Sequence, residues 1–268
     1  MKRNQLIIFF ALTFAMAWPL QAAFLARGGG PTRQAILLVV LVLVSWTPAA
    51  AALIVLALAR DREERRAVRR RMAMGRVGGR WSLYALVLPP FIWLGAIAAA
   101  RAFGVHLVFQ PAFLAILPGI LLSNFGEEIG WRGFALPAVL RRMDALYAGA
   151  VLGLIWGTWH LGPPTAWPSL GAGLIATQVG TLTALSVILT WIFVNSGGSL
   201  VVTTLAHTAF DAAAFAVPAA AASENGCTRV SLAGAPAQQR VRGEKSAQRQ
   251  HDDDRGQGVE LRSDAKLD

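Results

Sequence analysis

Apolar runs of spanning length, separated by short breaks of polar, glycine and proline residues, fill the chain from its start to about residue 222. The first, Leu6 to Leu25, follows the basic pair Lys2 and Arg3, and a loop holding Gly28, Gly29, Gly30 and Pro31 separates it from the second, Ala35 to Ala59. The third runs from Trp81 to Phe103. The next stretch, 112–140, is apolar from Phe113 to Phe125 but then takes up Glu127, Glu128 and Arg132, so it reads as a broken or re-entrant span. Tyr147 to Trp159 follows, ending at His160 and a Gly162-Pro163-Pro164 break. Leu170 to Val194 comes next, then a tight turn at Gly197-Gly198, and Leu200 to Ala222 is last. About twenty apolar residues are needed to cross a bilayer as helix, and a membrane leaves helices or closed barrels as the structures that satisfy every backbone group. The pattern therefore predicts an all-α polytopic transmembrane bundle of about seven spans, without an internal repeat. The first run, with small residues at Ala22 and Ala23, could also be read as a cleaved signal peptide; its length and the spans behind it favour an uncleaved helix.

Beyond Ala222 the pattern stops. Residues 223–268 hold eight basic and eight acidic residues and almost no apolar periodicity, which predicts a disordered polar tail. The expected organisation is residues 1–79 (two N-terminal spans and a basic loop), a core at 80–222, and the tail. The formal charge of +10 thus belongs to the apolar body, with nine arginines between Arg60 and Arg80. A basic segment between two spans marks a cytoplasmic loop against anionic headgroups. Nucleic acid is not an expected partner, whereas the bilayer is. With that loop inside, the N-terminus is inside, His106 falls outside as a loop residue, and Arg141 and Arg142 return to the cytoplasm. The single cysteine, Cys227, lies in the tail and excludes a disulfide framework or thiolate metal site within one chain. The tail also holds His251.

Charged groups inside apolar spans cost several kcal/mol, roughly, unless they have work to do. Between 111 and 222 they fall into three short clusters. In Glu127-Glu128-Ile129-Gly130-Trp131-Arg132, Glu128 and Arg132 share a helical face with the acid first, the better order for an ion pair. Glu127 sits about 100° round the axis and is left as the candidate acid–base. In Trp156-Gly157-Thr158-Trp159-His160, Trp156 lies one turn before His160 and can orient its ring. In His207-Thr208-Ala209-Phe210-Asp211 the His and Asp share a face and can hold one ion, each other, or one substrate group. Each cluster alone also fits a plain structural role: an interfacial charged turn, a satisfied helix-end histidine, a helix–helix hydrogen bond. Three together point to a hydrolytic site, because a buried carboxylate beside imidazoles can hold and deprotonate water.

The order Glu-Glu-x-x-x-Arg, aromatic-x-x-x-His, His-x-x-x-Asn/Asp resembles the CPBP family, which comprises CAAX prenyl proteases of the Ras-converting type and bacteriocin-processing or immunity (Abi) proteins. The resemblance covers about residues 80–222. Trp156 stands where that family usually has Phe, and Asp211 stands where the prenyl proteases have Asn, replacing an oxyanion donor with an anion. The resemblance implies a glutamate-dependent intramembrane endopeptidase acting on a peptide or membrane protein. It implies that Glu127 and His160 activate water, that His207 and Asp211 bind the oxyanion or a metal, and that Glu128, Arg132 and Trp156 give structural support. No cofactor is expected, since no HExxH-type pairing is present; zinc is left open, with Glu127, His160, His207 and Asp211 as its ligands. The rival expectation is a non-catalytic immunity or scaffold protein of the same fold. A transporter is disfavoured by the lack of two matching halves. The expected location is a bacterial cell membrane.

Overall fold

The computed structural model describes residues 3–25, 39–60, 62–73, 78–105, 107, 109–111 and 113–217. The expected tail at 223–268, with Cys227 and His251, lies outside the described residues, as do His106 and the glycine loop at 28–31. The described residues form an all-helical bundle. In chain order it comprises α1 (Arg3–Leu25), α2 (Val39–Leu58), α3 (Arg62–Ala73), α4 (Gly79–Ala102), α5 (Phe113–Leu140), α6 (Ala145–His160), the short α7 (Trp167–Leu170), α8 (Ala172–Asn195) and α9 (Leu200–Ala216). Among the described residues, five helices are long and apolar enough to cross a membrane: α1, α2, α4, α5 and α8. Two shorter apolar helices, α6 and α9, pack among them. The chain is an integral membrane protein, its exposed large apolar residues (Leu53, Leu83, Phe91, Leu94, Leu154 among them) forming the lipid-facing skin.

Local chemistry sets the helix ends. The Asp144 carboxylate accepts from the Leu146 and Tyr147 amides at 3.0 and 3.2 Å and starts α6. The Ser199 hydroxyl accepts from the Val202 amide and starts α9. Gly197 and Gly198, with φ of 72° and 85°, turn the chain between α8 and α9 in a conformation that costs other residues energy.

The close pairing of α6 with α8 rests on a glycine at every fourth position. A Cβ at Gly153 would lie 2.6 Å from the Thr183 Cα, and one at Gly149 would lie 2.9 Å from the Val187 Cα. Without a hydrophobic drive between helices in lipid, such backbone-to-backbone approach is a main source of association. α5 meets α2 in the same way, since Gly126 faces the Trp46 ring and Gly130 faces Pro48, leaving no room for a Cβ at either place. α2 is itself broken by a turn at Trp46, with Pro48 restarting the helix.

α5, expected as a broken or re-entrant span, runs as one continuous helical element whose winding changes part-way. It is α-helical to Glu128, π-helical from Ile129 to Ala135, and α-helical again from Leu136 to Leu140. The physical reason lies in Pro137. It cannot donate to the Gly133 carbonyl four residues back, and in an α-helix its ring would collide with that carbonyl. Widening the turn relieves the collision, and the Leu136 amide then bonds five residues back to the Trp131 carbonyl.

α3, rich in arginine, lies against the π-helical segment and α9. Val68 is buried and Met72 packs on the core, while Arg62, Arg66, Arg69 and Arg70 are exposed. Arg71 points inward; burial pulls its guanidinium below the ordinary arginine value, and the neighbouring Glu64 carboxylate opposes that shift.

Candidate active site

The three clusters meet in the core of the bundle around Trp156, which is fully buried. Glu127, at the last α-helical turn before the π segment, is 5% exposed. One of its carboxylate oxygens accepts from the Ser45 hydroxyl at 2.9 Å, and the other accepts from the Trp156 indole N–H at 2.8 Å. Ser45 reaches it because Gly126 and Gly130 let the Trp46–Pro48 turn of α2 seat directly on α5. The Trp46 indole fixes that seat by donating to the Leu122 carbonyl at 3.0 Å.

His160 stands at the C-terminal end of α6, with 27% of its side chain exposed. Its Nδ1 lies 2.9 Å from the Trp156 carbonyl. A carbonyl only accepts, so Nδ1 carries the hydrogen and the neutral ring keeps its lone pair on Nε2. That Nε2 faces the Glu127 carboxylate at 4.0 Å. The separation is too long for a direct hydrogen bond and suits one water bonded to both.

A second pair lies beside the first. Glu128 and Arg132, both with no exposed side-chain surface, make an ion pair at 2.9 Å. The same Glu128 oxygen accepts from His207 Nδ1 at 3.0 Å. On its other side, His207 presents Nε2 toward Asp211 at 3.6 Å, beyond ordinary hydrogen-bond length. Asp211 is held instead by the Asn124 side-chain amide, which donates to it at 2.9 Å. Trp156 ties the two pairs together. Its ring lies edge-on to His160 and His207, both at 5.1 Å between centroids, and the Arg132 guanidinium sits 4.6 Å from its centre.

All seven residues singled out by sequence thus occupy one site. Glu127 is brought to His160 and Glu128 to His207, a division that the helical wheel of α5 alone does not show. Three participants were not foreseen. Asn124 is one turn before Glu128 on the same face, and an amide in an otherwise apolar run could have been noticed. Ser45 gave no comparable signal, because a serine in an apolar span is ordinary and its partner lies 82 positions away. Arg71, whose Nη1 donates to the Gly133 carbonyl at 2.8 Å, was hidden among the other loop arginines. As to a metal, among the described residues no three His, Cys, Asp or Glu side chains are disposed to hold one ion. Glu127 is already bonded to Ser45 and Trp156, His207 Nδ1 to Glu128 and Asp211 to Asn124, while His160 Nε2 faces Glu127 at 4.0 Å and His207 Nε2 faces Asp211 at 3.6 Å.

Residues 108–213 match the family model described as type II CAAX prenyl endopeptidase Rce1-like. That stretch is similar to the Rce1-like endopeptidases. The match contains all three motifs and is narrower than the span 80–222 expected from them; Ser45 and Arg71 lie outside it. A relative named CAAX prenyl protease 2, from Methanococcus maripaludis, is 35% identical over 52 residues. That alignment takes in 19% of this chain and 19% of the relative, so the likeness is local.

Proposed function

We propose that the chain is an intramembrane endopeptidase in which Glu127 and His160 hold and activate the attacking water. The observation that carries this reading is the 4.0 Å gap between a histidine lone pair and a carboxylate already fixed by two other donors. A water in that gap donates one hydrogen bond to Glu127 and one to His160 Nε2. Its oxygen attacks the carbonyl carbon of the scissile peptide bond while its proton passes to one of the two acceptors. The resulting oxyanion falls to the His207, Asp211 and Asn124 side of the site. The proton then passes to the departing amine nitrogen as the C–N bond breaks, which returns the acceptor to its starting state. Glu128 and Arg132 keep His207 oriented and supply no proton.

The substrate class supported is a peptide or a membrane-associated protein presented at membrane depth, because His160 and Asp211 are the partly exposed members of the site. The relative's name, CAAX prenyl protease 2, adds a prenylated CAAX tail as one member of that class. We propose the metal-free route, in keeping with both Glu127 oxygens being engaged within the protein. The deciding experiment is cleavage of a quenched-fluorescence peptide by purified protein in proteoliposomes, with Glu127→Gln and His160→Ala as controls. Activity unchanged in either variant rules out the water-holding pair. Activity lost on chelator dialysis and restored by stoichiometric zinc rules out the metal-free route.

A further inference from the structure

The basic helix α3 is tied to the membrane surface by chain length. Three residues link the end of α2 at Leu58 to Arg62, and five link Ala73 to Gly79 at the start of α4. At no more than about 3.5 Å per residue, neither link lets α3 leave the plane where those spans end. Its outer side presents Arg62, Arg66, Arg69 and Arg70. Its inner side presents Val68, Met72 and Arg71 to the bundle.

The inward contact falls on a sensitive point. Gly133 is the residue whose carbonyl Pro137 cannot serve, and it lies within the π turn that begins right after Glu128. Arg71 Nη1 donates to that carbonyl at 2.8 Å, and Glu64 on the same helix steadies the guanidinium at 3.6 Å. A charge-assisted bond to a buried carbonyl is among the stronger of its kind. It holds open the wide turn that separates the Glu-bearing part of α5 from Leu136–Leu140.

We propose that α3 is an anionic-lipid-binding surface coupled to the catalytic helix, with Arg71 as the positioning residue that transmits headgroup binding to the π turn of α5. The partner chemistry is the negatively charged phosphate headgroup, chosen by charge complementarity and by the confinement of α3 to the membrane surface. Headgroups that engage the outer arginines lower the freedom of α3 and favour the state in which Arg71 is seated on Gly133. The proposal rests on the endopeptidase reading only for what the coupling is for; the coupling itself is measured without any substrate.

The test is hydrogen–deuterium exchange of peptides covering Ile129–Ala135, with the full chain in nanodiscs of phosphatidylcholine alone or with a large phosphatidylglycerol fraction. In the wild type, exchange there slows by about tenfold in the anionic discs. Arg71→Met removes the difference between discs, and Arg71→Lys, which keeps one donor, restores part of it. A merely structural Arg71 would change exchange equally in both lipids and leave the difference intact, which overturns its positioning role. Should Arg71→Met fail to insert, the quadruple variant with Arg62, Arg66, Arg69 and Arg70 changed to Gln, all on the outer side, decides. Loss of the lipid response with unchanged basal exchange supports the proposal, and a retained response overturns it. Equal exchange of the wild type in both discs overturns it too. So does slowing produced in neutral discs by a short RNA and not by anionic lipid, which would make the partner a nucleic acid. A lipid response without peptide cleavage leaves the coupling standing and sinks the endopeptidase reading instead.

Discussion

Adjacent glutamates on one helix have been given opposite surroundings. Glu127 is met by two neutral donors and an imidazole lone pair, whereas Glu128 is met by a guanidinium and an imidazole N–H. Glu127→Gln keeps the shape and removes the proton acceptor, so turnover in the peptide assay should disappear while the thermal midpoint in detergent moves little. Glu128→Gln leaves Arg132 buried without its counter-charge, which costs about 3–5 kcal/mol, so a marked drop in midpoint is expected. If Glu128→Gln stays stable but inactive and Glu127→Gln keeps its activity, the roles are reversed. Trp156 offers a finer test, because Phe keeps an aromatic ring there but loses the N–H that donates to Glu127, along with the rest of the indole. Trp156→Phe should remain folded and lose roughly tenfold in kcat, on the scale of one buried hydrogen bond to a charged group. Unchanged kcat would show that the indole N–H does not set the carboxylate's position.

At the scale of elements, the site depends on how near the helices come. α6 carries Trp156 and His160, and its seat on α8 is set by Gly149 and Gly153, where backbone lies under 3.0 Å from where a Cβ would be. Gly153→Ala should lower the thermal midpoint through overpacking of roughly 1–3 kcal/mol, and should reduce turnover by shifting α6 away from Glu127. Gly180 on α8 has open space around it, so Gly180→Ala serves as the matched control and should be neutral. Equal stability of the two variants would mean that the α6–α8 seam is not the close contact described.

For the whole molecule the charge pattern predicts orientation. With Cys227→Ser as a cysteine-free background, since the chain has one cysteine, a cysteine placed at Arg76 should react with a membrane-impermeant maleimide only in inverted vesicles. Labelling from the outside of intact cells would invert the expected topology. The tail beyond residue 222 has balanced charge and almost no apolar periodicity. Truncation after Ser223 should therefore leave expression, insertion and thermal midpoint unchanged; loss of folded protein would show that the tail packs on the bundle.

The all-helical membrane architecture was legible from the sequence alone, because lipid demands long apolar runs when the spans are helices and leaves an open sheet no way to satisfy its edges. So was the set of charged residues that the bundle brings together. Charged residues are so costly at membrane depth that Glu127, Glu128, Arg132, His160, His207 and Asp211 stand out against their surroundings, and the i, i+4 spacing of Glu128 and Arg132 predicts the ion pair seen. The pairing of each carboxylate with its histidine was decided by the tertiary structure, since it depends on where α6 and α9 pass α5 and not on any spacing within one helix. The same holds for Ser45 and Arg71, ordinary residues that matter because glycines at 126 and 130 admit α2 and because Pro137 leaves the Gly133 carbonyl in need of a donor. Helical spacing reports neighbours on one element; contacts made across 62 or 82 positions are set by packing, and a single sequence does not display packing.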